Sequence, residues 1–156
     1  ALLSDDDTAL SVVRMVTQLL DALVALHDVT SVCHGDFYAH NILVRRSGSS
    51  QHPARLTDFG AAFCYDRTAS YGPYLQAVEL RAFAIFVQEC VAQHSGNNAA
   101  FRIDDDQQRH VLEKLVDQCL APDATMANVQ IWWKQQLLKD ISKAFDDTLE
   151  SGVKEQ

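Results

Sequence analysis

Lysine is absent from the first 113 residues of this chain; the five lysines stand at 114, 134, 139, 143 and 154. Basic residues are scarce throughout, with Lys+Arg 13 against Asp+Glu 21 and a net charge of −8. That balance excludes the basic footprint a nucleic-acid partner requires. Six glycines, at 35, 48, 60, 72, 96 and 152, never approach a Gly-x-Gly-x-x-Gly spacing, so no phosphate-cradling loop of that type lies within the chain. Cys33, Cys64, Cys90 and Cys119 form no Cys-x-x-Cys pair, and three of them sit inside apolar runs, as small buried hydrophobes do. A disulfide scaffold is not expected, and a reducing, cytoplasmic setting is. No apolar stretch reaches the length of a membrane span, and Ala1-Leu2-Leu3-Ser4-Asp5 has no signal-peptide pattern. The first residue is Ala rather than Met, so a longer parent protein is expected.

What remains is the composition of one globular domain: 156 residues, 47% hydrophobic and 22% charged, long enough to bury a core. Val12, Val13, Val16, Leu19, Leu20, Leu23 and Leu26 recur at helical spacing and predict an amphipathic helix over 8–27. Asp5 to Asp7 and Thr8 are its expected capping residues. Ser31 to Cys33 reads as a short β-like run. Ile42-Leu43-Val44 and Arg55-Leu56-Thr57 read as the arms of a hairpin joined by a Ser-rich loop. Residues 61–77 lack periodicity and read as irregular. Further helices are predicted over 75–93 (Val78, Ala82, Ile85, Phe86 and Cys90 inward), 107–120 and 126–149. Along the last of these, Val129, Trp132, Trp133, Leu137, Leu138, Ile141 and Phe145 form the apolar set. Adjacent tryptophans cannot both point inward, so at most one of Trp132 and Trp133 belongs to the core. The runs Asp5-Asp6-Asp7 and Asp104-Asp105-Asp106 read as solvated loop or helix-start residues rather than metal sites.

Two short motifs carry chemistry: His34-Gly35-Asp36 with Asn41 five residues after Asp36, and Asp58-Phe59-Gly60. Phosphoryl transfer requires a positioned acceptor hydroxyl and a metal that neutralises phosphate charge. In that chemistry Asp36 accepts the proton of the attacking hydroxyl. Asn41 and Asp58 offer oxygen ligands to Mg²⁺, a hard cation. Phe59 is expected to anchor its segment in the core, and Gly60 to let the backbone turn. His34 reads as structural, bonding backbone near the second motif. A zinc site built on His40 with His34 or Cys33 lacks the usual ligand number and spacing.

These motifs resemble the catalytic and metal-binding loops of the protein-kinase-like superfamily. The resemblance spans essentially the whole chain as a C-terminal lobe. Leu26-His27 precedes the catalytic loop, Glu79 to Glu89 is similar to the central helix of that lobe, and Cys119-Leu120-Ala121-Pro122-Asp123 to the stretch before its last helices. The string His34 to Asn41 also resembles a kinase-like group found beside leucine-rich-repeat proteins. Departures are present. Gly35 stands where protein kinases usually carry Arg, a feature shared with aminoglycoside and choline phosphotransferases. Tyr38 takes the position of a phosphate-contacting Lys, and it either contacts phosphate or packs. About eighteen residues separate Gly60 from Glu79, without Ala-Pro-Glu, and no Arg follows Pro122 where the family would pair one with that Glu.

The resemblance implies a mainly α kinase-like C-lobe with a small β hairpin carrying the site. It implies an ATP- and Mg-dependent phosphotransferase acting on a hydroxyl-bearing acceptor, protein or small molecule. Glu79 is expected to buttress the catalytic loop backbone. The nucleotide-clamping lobe is expected from upstream sequence, and the isolated chain is expected to be inactive. The alternatives are a non-catalytic pseudokinase or scaffold module, and a small-molecule kinase of the aminoglycoside type.

Overall fold

The computed structural model describes residues 10–44, 54–93, 101–103 and 106–153. Ser11 begins the first helix, its Oγ accepting the backbone N–H of Arg14 at 3.5 Å. From there α1 (Val12–Val24) turns Val12, Met15, Val16, Leu19, Leu20 and Leu23 into the core, each at most 1% exposed. Burial of each such side chain stabilises the fold by about 1.5–3 kcal/mol. The predicted helix over 8–27 is thus realised from Val12. Its expected caps, Asp5, Asp6, Asp7 and Thr8, lie outside the described residues. The last turn widens into a π-helical turn, Ala25–Val29, closed by the Thr30 N–H on the Ala25 carbonyl (3.3 Å) and the Thr30 hydroxyl on the Leu26 carbonyl (2.7 Å). This wide turn carries His27, which is fully buried.

Among the described residues, three two-stranded sheets clip the helices and connections together. Leu10–Ser11 (β1) pairs in parallel with Phe101–Arg102 (β6), joining segments far apart in the chain that local pattern does not announce. Val32–Cys33 (β2) pairs antiparallel with Phe63–Cys64 (β5). Ile42–Val44 (β3) pairs antiparallel with Ala54–Leu56 (β4), in register Ile42 to Leu56 and Val44 to Ala54. The hairpin is therefore present one residue earlier on its second arm than predicted, and its connecting loop lies outside the described residues. Residues 61–77 are more regular than their lack of periodicity predicts, because they contain β5 and the start of the next helix.

That helix, α2 (Gly72–Gln93), is the centre of the domain and lies against α1, α3 (Asp106–Leu120) and α4 (Met126–Val153). Glu79, Leu80, Phe83, Ala84, Phe86, Val87, Cys90 and Val91 are buried. Val78 and Ile85, expected inward, are instead 67% and 44% exposed. The reason is that α2 has neighbours on several sides, so its buried surface is not one simple stripe, and a buried carboxylate orients it. On α4, Trp133 is buried and donates its Nε1–H to the Thr17 hydroxyl at 2.9 Å, while Trp132 is half-buried. Leu138, expected inward, is 66% exposed. The side chains of Ile141 and Phe145, and the pair Asp104-Asp105, lie outside the described residues. The architecture is mainly α with small β clips, and among the described residues no helix is long and apolar enough to cross a membrane.

Candidate functional site

Both motifs lie on short connections held by the clips. The chain leaves β2 through His34 and Gly35, and Phe37 then drops into the core (2% exposed). There its ring meets Phe83 and Phe86 edge-on, with centroids 5.9 Å apart in each case. Phe37 thereby fixes the loop on either side of Asp36 and Tyr38. After a 3₁₀ turn, Ala39–Asn41, the chain enters β3. Asn41 is buried at 4% exposure, and its Nδ2 donates to the Asp36 carbonyl (2.8 Å) and to the Asp36 Oδ2 (3.0 Å). The sequence spacing of five thus closes a small ring in which the amide holds the carboxylate. The Asn41 Oδ1 has no hydrogen-bond partner among the described residues.

The second motif is tied to the first by backbone. Asn41 offers its carbonyl to both the N–H (2.8 Å) and the hydroxyl (3.0 Å) of Thr57, the neighbour of Asp58. His34 Nε2 lies 3.0 Å from the Thr57 carbonyl, and the His34 ring meets Phe59 edge-on at 4.8 Å. His34 is fully buried, in keeping with a structural role. Gly35 has φ +78, and a Cβ there would stand 2.5 Å from the Ala61 carbonyl oxygen. No larger side chain fits that approach, which gives a steric reason for Gly at this position.

Asp58 is exposed and adopts the left-handed conformation (φ 56, ψ 76), its Oδ1 accepting the Gly60 N–H at 3.2 Å. An L-residue in this region costs roughly 1–2 kcal/mol, less for Asp, whose short side chain bonds locally. Such strain is typical of positions where backbone must aim a group. Phe59 is not the core anchor predicted: it is 49% exposed, because the tight turn after Asp58 leaves its ring on His34 at the surface. It borders an apolar groove of about 700 Å³ lined by Leu19, Ala22, Leu26, Val29 and Leu56. Tyr38 is 57% exposed and stacks on His40, with centroids 5.8 Å apart and planes within 7°.

Comparison with known proteins gives no further guide: no family model, no curated protein and no solved structure matches the chain. The chemistry of the site itself is the remaining guide.

Beneath the loops lies a buried carboxylate. Glu79 of α2 is 3% exposed, and its Oε1 accepts the Gly35 N–H at 2.8 Å while its Oε2 accepts the His34 N–H at 3.1 Å. His27 Nε2 stands 2.5 Å from Oε2, and the Cys33 thiol 3.5 Å from Oε1. Burial alone would raise the Glu79 pKa. The hydrogen bonds from His27, Gly35 and His34 outweigh it and hold the carboxyl below its ordinary range. Burial, and then the charge of Glu79, push the Cys33 thiol up to about 12.

His27, Cys33 and Glu79 bring nitrogen, sulfur and oxygen within 4.8 Å of one another, a set that could hold a metal ion. The hydrogen bonds argue for a structural cluster instead. Both carboxylate oxygens already accept N–H donors, and the thiol stays protonated at neutral pH. The two oxygen donors that the sequence expects on a metal lie outside this cluster: Asn41 is buried, with its Oδ1 unpartnered among the described residues, and the Asp58 carboxylate is exposed. Sequence reasoning missed Phe37 and Tyr65 as organisers; an apolar Phe37 inside a polar motif is the available signal for the first.

Proposed function

We propose that this chain is the catalytic lobe of an ATP-dependent, protein-kinase-like phosphotransferase that moves the γ-phosphoryl group to a hydroxyl acceptor. One observation carries the reading. The buried Asn41 holds Asp36 through its Nδ2 and keeps its Oδ1 unpartnered among the described residues, beside the strand that leads to Asp58. A purely structural Asn would be expected to satisfy a buried oxygen, whereas a metal ligand needs that lone pair left open.

In this reading Asp36 Oδ1 faces the acceptor, since Oδ2 is engaged by Asn41. The hydroxyl oxygen forms a bond to the γ-phosphorus as the bond to the bridging oxygen breaks; the hydroxyl proton passes to Asp36, and ADP leaves. Asn41 and Asp58 would hold Mg²⁺, which when bound would supply charge neutralisation to the phosphates. Tyr38, exposed on the same loop, lies on the nucleotide or acceptor side. The absence of lysine before residue 114 and of a Gly-rich loop assigns the nucleotide clamp to a segment outside these residues. The groove that ends at Phe59 gives such a lobe an apolar seat beside the metal-binding loop.

The test is Mg-ATP turnover by the protein joined to its clamping lobe, followed with a panel of hydroxyl acceptors. Loss of turnover in Asp36→Ala and Asp58→Ala supports the enzyme. Inactivity of the complete protein, with no Mg-ATP binding, supports a scaffold instead. Robust turnover by residues 1–156 alone, abolished by Asp36→Ala, would refute the division into two lobes.

A further inference from the structure

Tyr65 follows β5 directly, on the far side of the second motif from Asp58. Its backbone N–H donates to the Ser31 carbonyl at 3.0 Å, extending the β2–β5 clip. The side chain turns inward (8% exposed), and its Oη stands 2.6 Å from His27 Nδ1, with the two rings edge-on at 5.5 Å. His27 Nε2 in turn meets Glu79, which accepts the N–H groups of His34 and Gly35. A continuous line of hydrogen bonds thus runs from the segment after Asp58-Phe59-Gly60 to the backbone immediately before Asp36.

The donors in this line can be assigned. Glu79 is held ionised, so it only accepts, and His27 Nε2 must carry a proton. With Nε2 protonated, Nδ1 of the neutral ring is the acceptor and the Tyr65 phenol is the donor across 2.6 Å. Every proton in the line then points one way, toward Glu79. Without the phenol, Nδ1 would be a buried acceptor that has lost this donor, and the ring would be held only through Nε2.

We infer that Tyr65 is a positioning residue: its hydroxyl fixes the orientation of the His27 ring, and through Glu79 sets the backbone that presents Asp36. The inference rests on the phosphotransferase reading for its consequence, but its physical core is measurable without turnover. In the full chain, Tyr65→Phe should speed hydrogen exchange of the His34 and Gly35 amides by about tenfold, while amides of α3 such as Leu115 keep their rates. The His27 Nδ1 resonance should shift as it loses its donor. In the complete enzyme kcat should fall by about tenfold with the KM for ATP unchanged, because Tyr65 is buried beneath the loops. Where Tyr65→Phe does not fold, 3-fluorotyrosine at the same position keeps the ring and strengthens the donor, and should shift the His27 signal the opposite way. Unchanged exchange at His34 and Gly35, or an unchanged His27 resonance, overturns the tie whatever the activity. An inactive complete protein that still shows the exchange coupling overturns the phosphotransferase reading and, with it, the positioning role.

Discussion

Two carboxylates that flank the candidate site, Glu79 and Asp58, are treated in opposite ways. Glu79 is buried on a regular helix and takes hydrogen bonds from two backbone N–H groups and His27, on both of its oxygens. Asp58 is exposed on a left-handed turn and accepts one local bond, from the Gly60 N–H. A fully satisfied buried carboxylate holds loops together. A strained, exposed one, bonded among the described residues only within its own turn, is available to a ligand. The same residue chemistry serves architecture at Glu79, while at Asp58 it carries the role we propose for it, and substitutions should separate the two.

The largest effect is expected from Glu79→Ala, which strands the His34 and Gly35 N–H groups and His27 in the core. Removing one partner of such a buried cluster costs about 3–5 kcal/mol. The melting temperature should fall by about 10 °C, with denaturant titration as the check. Gly35→Ala comes next. Its Cβ would meet the Ala61 carbonyl at 2.5 Å in a positive-φ conformation, and overpacking of that kind costs about 1–3 kcal/mol. A small effect of Gly35→Ala would mean that the two motif loops are not clamped as described.

Acid should weaken the Glu79 cluster. The folded carboxyl titrates below its ordinary value of 4.5, so its contribution is complete above that pH. The contribution is lost as pH falls through the lower folded value. Unfolding midpoints measured from pH 6 downward should drop in the native chain and drop less in Glu79→Gln. Asp58→Gly offers the contrast, for glycine tolerates the left-handed turn. Stability should stay within about 0.5 kcal/mol of the native chain or rise slightly, while Mg-dependent turnover of the complete protein is lost. A large loss of stability would move Asp58 to the structural side of the comparison.

The smallest effect concerns thiols. Cys33, Cys90 and Cys119 are buried with pKa values raised to about 12, and Cys64 is exposed. A thiol reagent at pH 7.5 should label Cys64 first, with the others reacting only on unfolding.

Much of this arrangement is legible in the linear chain. The stripe from Val12 to Leu23 specifies α1, the hairpin arms are evident within one residue, and Asp36, Asn41 and Asp58 stand out by spacing. The failures share a cause, which is that they depend on neighbours distant in sequence. Helical periodicity places Val78 and Ile85 inward on a single stripe, whereas α2 is enclosed by several elements. An aromatic beside a polar ligand points to Phe59 as a core anchor, but the turn at Asp58 leaves it at the surface, and Phe37 takes the anchoring role.

The sequence by itself determined the local character of the chain: four helices, a hairpin, a set of oxygen donors at close spacing, and no lysine near them. Periodicity and side-chain chemistry are properties of neighbouring residues, so they can be read without coordinates. The resemblance already points to Glu79 as the support of the loop backbone; only the tertiary structure decided which atoms it holds and that Asp58 stands exposed at the surface. That depends on burial and on hydrogen bonds between residues far apart in the chain, such as Gly35 with Glu79 and His27 with Tyr65. It also decided why residue 35 is glycine, because the atom that forbids a side chain there belongs to Ala61 on the other loop.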